Sequence, residues 1–175
     1  MRHGLPLLMM LNFGACASTP TEPPVERLAP SHVLTVTLAA ACGGPPSSSF
    51  SPFDLTVFGR LEATGSSKFV AVPPNDARCN QSTLDLQVDV TGPTAEGTIA
   101  GQECFVITGG VFTASFSRPG VAPGRLRGEV RQNERGDLEV VNGVLDGTIN
   151  VGLKFSSAGV ECIAVDHTWS LRPVR

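Results

Sequence analysis

Apolar and polar residues alternate along most of the chain from His32 onward. In the clearest run, 83–91, four aliphatic residues interleave with Asp85, Gln87 and Asp89. A period of two places successive side chains on opposite faces of a strand, so it predicts a β-strand with one buried face. The same pattern, bounded by Gly, Pro, Asn and Ser clusters, predicts strands over 33–42, 54–62, 68–72, 83–91, 96–101, 104–108, 110–117, 125–132, 137–142, 144–155 and 163–171.

Helical periodicity is missing from the pattern. No window of ten or more residues repeats its apolar positions every 3.6 residues, and only a short helical turn is predicted, in 74–82. The connections are too short for parallel crossovers, which need a dozen or more residues each. The sequence therefore predicts an all-β fold, an antiparallel meander in which successive strands are neighbours.

Glycines within the predicted strands favour a closed barrel. Gly59, Gly97, Gly101, Gly128 and Gly147 interrupt otherwise regular alternation. An interior glycine weakens a strand but permits the tight bend of a barrel corner, and closure removes exposed edges. The segment 84–171 resembles in this pattern the glycine-rich lipocalin-like β-barrels of bacterial lipoproteins, which implies a closed lipocalin-like barrel. A β-sandwich suits the same strand count and is the alternative.

The composition indicates one domain and no nucleic-acid partner. The 175 residues include 13 Lys and Arg against 16 Asp and Glu, with a formal net charge of −3. Binding of nucleic acid calls for a basic patch or stripe, which this balance does not provide. We assign 32–175 to a single all-β domain, a length typical of one domain.

The N-terminal residues have the layout of an export signal. Arg2 and His3 form a basic start, 5–13 is a short apolar run, and Gly14 and Ala15 precede Cys16. This arrangement resembles a bacterial lipoprotein signal, which implies that 1–15 is removed and that Cys16 is acylated as the new N-terminus. Ala15-Cys16-Ala17 is also an A-x-A site, so cleavage after Ala17 and plain secretion is the alternative.

The segment 16–31 is predicted to be a tether. It is rich in proline and has few residues that could pack in a core, a composition typical of an extended, solvated chain. It resembles the spacer between a lipoprotein's lipid and its folded domain. We therefore expect a lipid-anchored protein of the bacterial cell envelope, at the outer membrane, with a secreted or periplasmic protein as the alternative.

Four cysteines remain after Cys16 is set aside, an even number that suits disulfides in an oxidising compartment. Cys79 and Cys104 are symmetric about the predicted turn near Thr91 and Gly92, so an antiparallel hairpin brings them together. If the first and last strands pair to close the barrel, Cys42 meets Cys162. We predict the pairs Cys79–Cys104 and Cys42–Cys162; free buried thiols are the alternative.

No catalytic, cofactor or metal motif stands out. The chain has no G-x-S-x-G, no phosphate-binding glycine loop and no C-x-x-C pair. Asp166 and His167 are adjacent, but adjacent strand residues point to opposite faces, so His167 is interpreted as a packed or barrel-lining residue. We predict a protein that is not an enzyme and that has no cofactor and no metal.

An arginine-rich stretch is the candidate binding surface. Arg125, Arg127 and Arg131 share one strand face and could bind anions such as lipid headgroups or an acidic glycan. A solvated face with cross-strand ion pairs explains the same residues. In that interpretation, Arg131 lies opposite Glu139 if the turn is centred at 133–137.

The leading functional hypothesis is an envelope-anchored lipoprotein whose barrel has a non-enzymatic binding or structural role. Its expected partners are the membrane, through the lipid, and an envelope protein or a small apolar ligand. The alternative is a lipocalin-like carrier of an apolar or amphipathic molecule, and an enzyme is third. The aromatic residues that could line a carrier cavity or fill a core are Phe50, Phe53, Phe58, Phe69, Phe105, Phe112, Phe116, Phe155 and Trp169.

Overall fold

The alternating segments form β-strands in the computed structural model, which describes residues 31–43, 50–79, 82–107, 110–116, 122–154 and 159–174. No α-helix occurs in these ranges, and the one helical element is a 3₁₀ turn at Ala40–Cys42. The strands are β1 (His32–Thr37), β2 (Phe53–Phe58), β3 (Gly65–Ala71), β4 (Asp85–Thr91), β5 (Thr94–Ala100), β6 (Gln102–Ile107), β7 (Gly110–Ser115), β8 (Gly124–Gln132), β9 (Leu138–Leu153) and β10 (Gly159–Pro173).

The sheet closes on itself through its first and last strands. All pairings are antiparallel, and β1 pairs with β10 from His32↔Pro173 to Thr37↔Thr168. Eight strands, β1–β5 and β8–β10, complete the closed barrel. The all-β fold and the closed barrel predicted from the glycines are therefore confirmed, and a β-sandwich is excluded.

The β6–β7 hairpin extends one end of this barrel. Gly101, at φ +84°, separates β5 from β6, and a side chain there would collide with the Thr83 carbonyl. Glycine is therefore required at this bend. Beyond the bend β6 pairs with β7, which pairs with the last residues of β9 from Phe112↔Leu153 to Ser115↔Asn150.

Two local predictions are wrong. The strand predicted at 33–42 ends at Thr37, because its alternation gives way to small alanines that form the 3₁₀ turn. The helical turn predicted in 74–82 is absent from the described residues 74–79 and 82. Asp76 forms an Asx turn there, since its Oδ1 accepts the N–H of Arg78 at 2.9 Å.

The strands predicted at 137–142 and 144–155 are one strand, β9. Asn142 has φ 51°, a conformation that Asn tolerates better than most residues, and it lies in a β-bulge. The bulge inserts one residue relative to both β8 and β10, so β9 continues through it. A second bulge in β10 turns Val165 and Asp166 outward together, while His167 faces inward.

The two ends of the barrel differ. The hairpin end contains residues 38–43, 50–52, 72–79, 82–84, 101–116 and 150–162 where described. The tether end contains Ser31, the β2–β3 connection 59–64, the β4–β5 turn 92–93, the β8–β9 connection 133–137 and 172–174. The chain enters the barrel at the tether end, where the Ser31 N–H donates to the Val57 carbonyl and the Val174 N–H to the Ser31 carbonyl, both at 2.9 Å.

Candidate functional site

Both predicted disulfides are present, and both lie at the hairpin end. Cys42–Cys162 has a Cα–Cα distance of 5.8 Å and joins the 3₁₀ turn after β1 to β10. Cys79–Cys104 has a distance of 5.6 Å and joins the β3–β4 connection to the β6–β7 hairpin. Barrel closure brings the first pair together and the β4–β5 hairpin the second, as the spacing predicted.

The barrel interior is filled with side chains. Among the described residues, the inward aliphatic and aromatic side chains at its centre have no accessible surface. A cavity large enough for a water molecule would give its lining side chains some accessible surface, so these side chains line no such cavity. Near the hairpin end, Phe53 stacks on Phe105 with ring centroids 4.9 Å apart. Phe58 is the exception to the predicted aromatic core, since it faces outward and is 41% exposed. Residues without accessible surface include Leu34, Val36, Val57, Phe69, Leu86, Val88, Ala95, Ile99, Val140, Ile149, His167 and Leu171.

His167 is one of these filled positions. Its Nδ1 accepts the N–H of Ala39 at 3.0 Å, and its Nε2 donates to the Gly147 carbonyl at 3.3 Å. Backbone groups thus engage both ring nitrogens. One nitrogen accepts and the other donates, as in a neutral imidazole. Burial lowers the pKa of His167 from its ordinary value. The ring therefore joins the segment after β1 to β9, which agrees with its interpretation as a packed residue.

Glu103 is a second buried ionisable residue at the hairpin end. Its Oε2 accepts the Ser82 hydroxyl at 2.5 Å, and its Oε1 accepts the N–H of Cys104 at 2.8 Å. Burial raises the pKa of Glu103, an effect that these hydrogen bonds and the nearby Lys154 charge oppose. The carboxyl group thus holds the β3–β4 connection against β6, beside the Cys79–Cys104 disulfide.

The predicted arginine face is present on β8, but acidic residues lie beside it. Arg125, Arg127 and Arg131 all point outward. Arg131 Nε lies 2.6 Å from Glu139 Oε1, as predicted from the turn, and Arg127 Nε lies 3.9 Å from Glu96 Oε1. Arg125 pairs in register with Asp146. The three arginines therefore do not form an uncompensated cationic ladder.

Arg131 instead contributes to a groove at the tether end, together with residues from the β8–β9 connection and from the end of β10. The groove has a volume of about 610 Å³. We call it the tether-end groove and define it by the residues that line it. These residues are Arg131, Asn133, Glu134, Arg135, Glu139, Arg172 and Pro173.

The carboxylate of Glu139 organises one wall of the tether-end groove. Leu171 pairs with Val140, so Glu139 and Arg172 follow on adjacent strands, and Arg131 lies on the other side of Glu139. The Glu139 side chain is only 9% exposed, whereas that of Arg131 is 60% exposed. The carboxylate is therefore covered, and the Arg131 guanidinium remains largely accessible from the groove.

The β8–β9 connection holds the other wall in place. Asn133 Oδ1 accepts the N–H groups of Arg135 and Asp137 at 2.9 and 3.0 Å. Arg135 Nε lies 3.5 Å from Asp137 Oδ2. The groove is thus preformed by backbone and side-chain hydrogen bonds, and it presents three guanidinium groups beside two carboxylates.

Sequence reasoning singled out Arg131 but not Arg172, because the two lie on strands that are distant in the chain. Only the wrapping of β10 against β9 brings Arg172 to the groove. Its signal was available in principle, since successive strands were predicted to be neighbours and the last strand must then run back past Glu139. The predicted lipidation site Cys16 and the aromatic residue Phe155 lie outside the described residues.

Comparison with protein-family models, with curated proteins and with solved structures finds no match to this chain. Among the described residues, no group of three or more His, Cys, Asp and Glu side chains is placed to hold a metal ion. No helix in that part of the chain has the length and apolar character needed to cross a membrane.

Proposed function

We propose that this protein is a lipid-anchored protein of the bacterial envelope and that its barrel is a non-enzymatic binding or structural domain. The observation that favours this role of the barrel over a carrier is the filled interior, because a carrier needs an enclosed pocket of several hundred Å³. The barrel acts through its outer surface, of which the tether-end groove is a concave part.

The two disulfides support export. Structural disulfides persist in oxidising compartments and are rare in the cytosol. Each bond has a Cα–Cα distance typical of disulfides, at 5.8 and 5.6 Å. The domain thus suits the oxidising periplasm or the cell surface, as the signal-like sequence before Cys16 implies.

Intact-mass analysis of the mature protein from its native membrane tests the proposal. We expect a chain that begins at Cys16, carries the mass of a diacylglyceryl group and an acyl group, and lacks four hydrogens for two disulfides. Cys16→Ala should move the protein from the membrane fraction to the soluble fraction. Cys42→Ala, which also removes one cysteine and breaks the Cys42–Cys162 disulfide, should leave it in the membrane fraction and serves as the control.

Two outcomes contradict the proposal. A mature N-terminus at Ser18 without acyl mass means that the protein is secreted without a lipid. A small apolar molecule that remains bound at one per chain in native mass spectrometry means that the barrel opens to form a carrier cavity.

A further inference from the structure

The tether-end groove adjoins the point at which the chain enters the barrel. Arg172 and Pro173 directly precede Val174, whose N–H donates to the Ser31 carbonyl. The segment 16–30 lies before Ser31, and fifteen residues reach at most about 50 Å when fully extended. A lipid on Cys16 would therefore keep this end of the barrel within reach of the membrane surface.

The charges of the tether-end groove complement a ligand that carries both signs. Arg131, Arg135 and Arg172 offer guanidinium groups, which bind phosphate oxygens in fork geometry. Glu134 also lines the groove, is exposed, and could accept hydrogen bonds from an ammonium group. Since Asp137 neutralises part of the Arg135 charge, the groove is nearly neutral overall, which favours a zwitterionic ligand over an anionic one.

We propose that the tether-end groove binds the headgroup of a phospholipid that carries a phosphate and a primary ammonium group, as phosphatidylethanolamine does. The contact would hold the barrel against the membrane in one orientation. This inference rests on the proposed lipid anchor, which makes headgroup binding effectively intramolecular. A low intrinsic affinity is then sufficient, because the anchor supplies a high local concentration of the lipid.

An NMR titration of the Cys16→Ala chain tests headgroup binding without the anchor. The probes are glycerophosphoethanolamine, glycerophosphocholine, glycerophosphoglycerol and inorganic phosphate. We expect saturable shifts of the 133–137 amides and of the arginine Nε–H signals with glycerophosphoethanolamine. Glycerophosphocholine and glycerophosphoglycerol should bind several-fold more weakly, since the first has no ammonium N–H and the second has no cation.

Of the three arginines that line the groove, Arg172 is the one that forms no ion pair with the described residues. Arg172→Gln removes its guanidinium group. We expect it to weaken glycerophosphoethanolamine binding about tenfold, the effect of losing one charge-assisted hydrogen bond. Arg60→Gln is the matched control. Arg60 also lies at the tether end and its side chain is 86% exposed, but it does not line the groove.

Equal shifts with inorganic phosphate, or with glycerophosphoglycerol, would overturn the inference in favour of a simple anion site. Absence of saturable shifts, or equal weakening by Arg60→Gln, would overturn it outright.

In vesicles that contain the acylated protein, hydrogen exchange at 133–137 should slow when phosphatidylethanolamine replaces half of the phosphatidylcholine. Headgroup binding by a protein that proves to have no lipid would refute the anchor alone, whereas an acylated protein that binds no headgroup would refute this inference alone.

Discussion

The two ends of the barrel are stabilised by different kinds of interaction. At the hairpin end the structure has two disulfides, the buried residue Glu103, the Ala39 N–H that donates to His167, and stacked phenylalanines. At the tether end it has short connections and exposed ion pairs such as Arg60–Glu62 and Arg135–Asp137. Among the described residues, the disulfides are thus confined to the hairpin end, whereas buried polar side chains occur at both ends, with Glu139 at the tether end.

Connection length explains this difference. At the tether end, β4 and β5 are joined by Gly92 and Pro93 alone, with Gly92 at φ +60°. At the hairpin end, 38–52 and 72–84 connect neighbouring strands. A longer loop costs more conformational entropy to close and order, so its position needs further links. Each long connection carries one disulfide and one hydrogen bond involving a buried ionisable side chain.

The largest expected effect is the loss of a disulfide. Cys42 and Cys162 are 120 residues apart, so Cys42→Ala with Cys162→Ala should cost about 5 kcal/mol of unfolding free energy. Cys79 and Cys104 are 25 residues apart, so the corresponding double variant should cost about 3.5 kcal/mol. Urea unfolding measures both. A larger loss from the shorter loop would show that local strain or contacts outweigh loop length.

His167→Leu should cost about 2–4 kcal/mol, because it leaves the Ala39 N–H and the Gly147 carbonyl without partners inside the barrel. Burial lowers the pKa of His167 below its ordinary value of 6.5, so the native protein should lose stability as the pH falls from about 6.5 toward the folded pKa. The variant should lose part of that acid dependence. Urea unfolding between pH 5 and pH 8 measures both effects.

His32 serves as the internal control for this prediction. Burial also lowers the pKa of His32, so its contribution to the acid dependence should remain in His167→Leu. A variant with the native acid dependence would show that His167 does not titrate in this range. A variant as stable as the native protein would show that the two backbone groups find other partners.

Glu103→Gln should change stability by about 1 kcal/mol or less at pH 7, in the stabilising direction. Burial raises the pKa of Glu103, so its contribution is present below the ordinary value of about 4.5 and is lost as the pH rises through the folded pKa. Glutamine keeps an acceptor for the Cys104 N–H and carries no charge. Thermal unfolding of both proteins from pH 4 to pH 8 should show the native protein falling relative to the variant. A variant that is less stable at every pH would mean that the carboxylate is needed for its contact with Ser82.

The smallest effect belongs to the tether end. Arg131→Gln removes an ion pair in which the arginine is 60% exposed, and glutamine can still donate an N–H to the covered Glu139 carboxylate, so it should cost about 1 kcal/mol, and high salt should reduce the difference. Arg127→Gln is the control, since its Nε lies 3.9 Å from Glu96 and the pair should contribute still less. A loss for Arg131→Gln comparable to that of a disulfide double variant would overturn the contrast between the two ends.

Local patterns determined much of this fold. Alternation specified which residues of β4 and β8 face the core, since a strand has only two faces. The symmetry of Cys79 and Cys104 about one turn predicted their bond, and the position of Glu139 predicted its pairing with Arg131. These features depend on neighbouring strands and short connections, for which sequence separation translates directly into register.

Tertiary structure decided which segments distant in the sequence lie next to each other. The pairing of β7 with β9, the bulge at Asn142 and the approach of Arg172 to Glu139 depend on how the sheet wraps and closes. The alternation predicted two strands around Asn142 because the bulge interrupts the period of two. The sequence pattern does not distinguish the end of a strand from one extra residue in a left-handed conformation within a continuous strand. The tether-end groove likewise joins Arg131 to Arg172 because β9 pairs with both β8 and β10. The barrel that holds these strands in place is stabilised by its whole filled interior rather than by either segment.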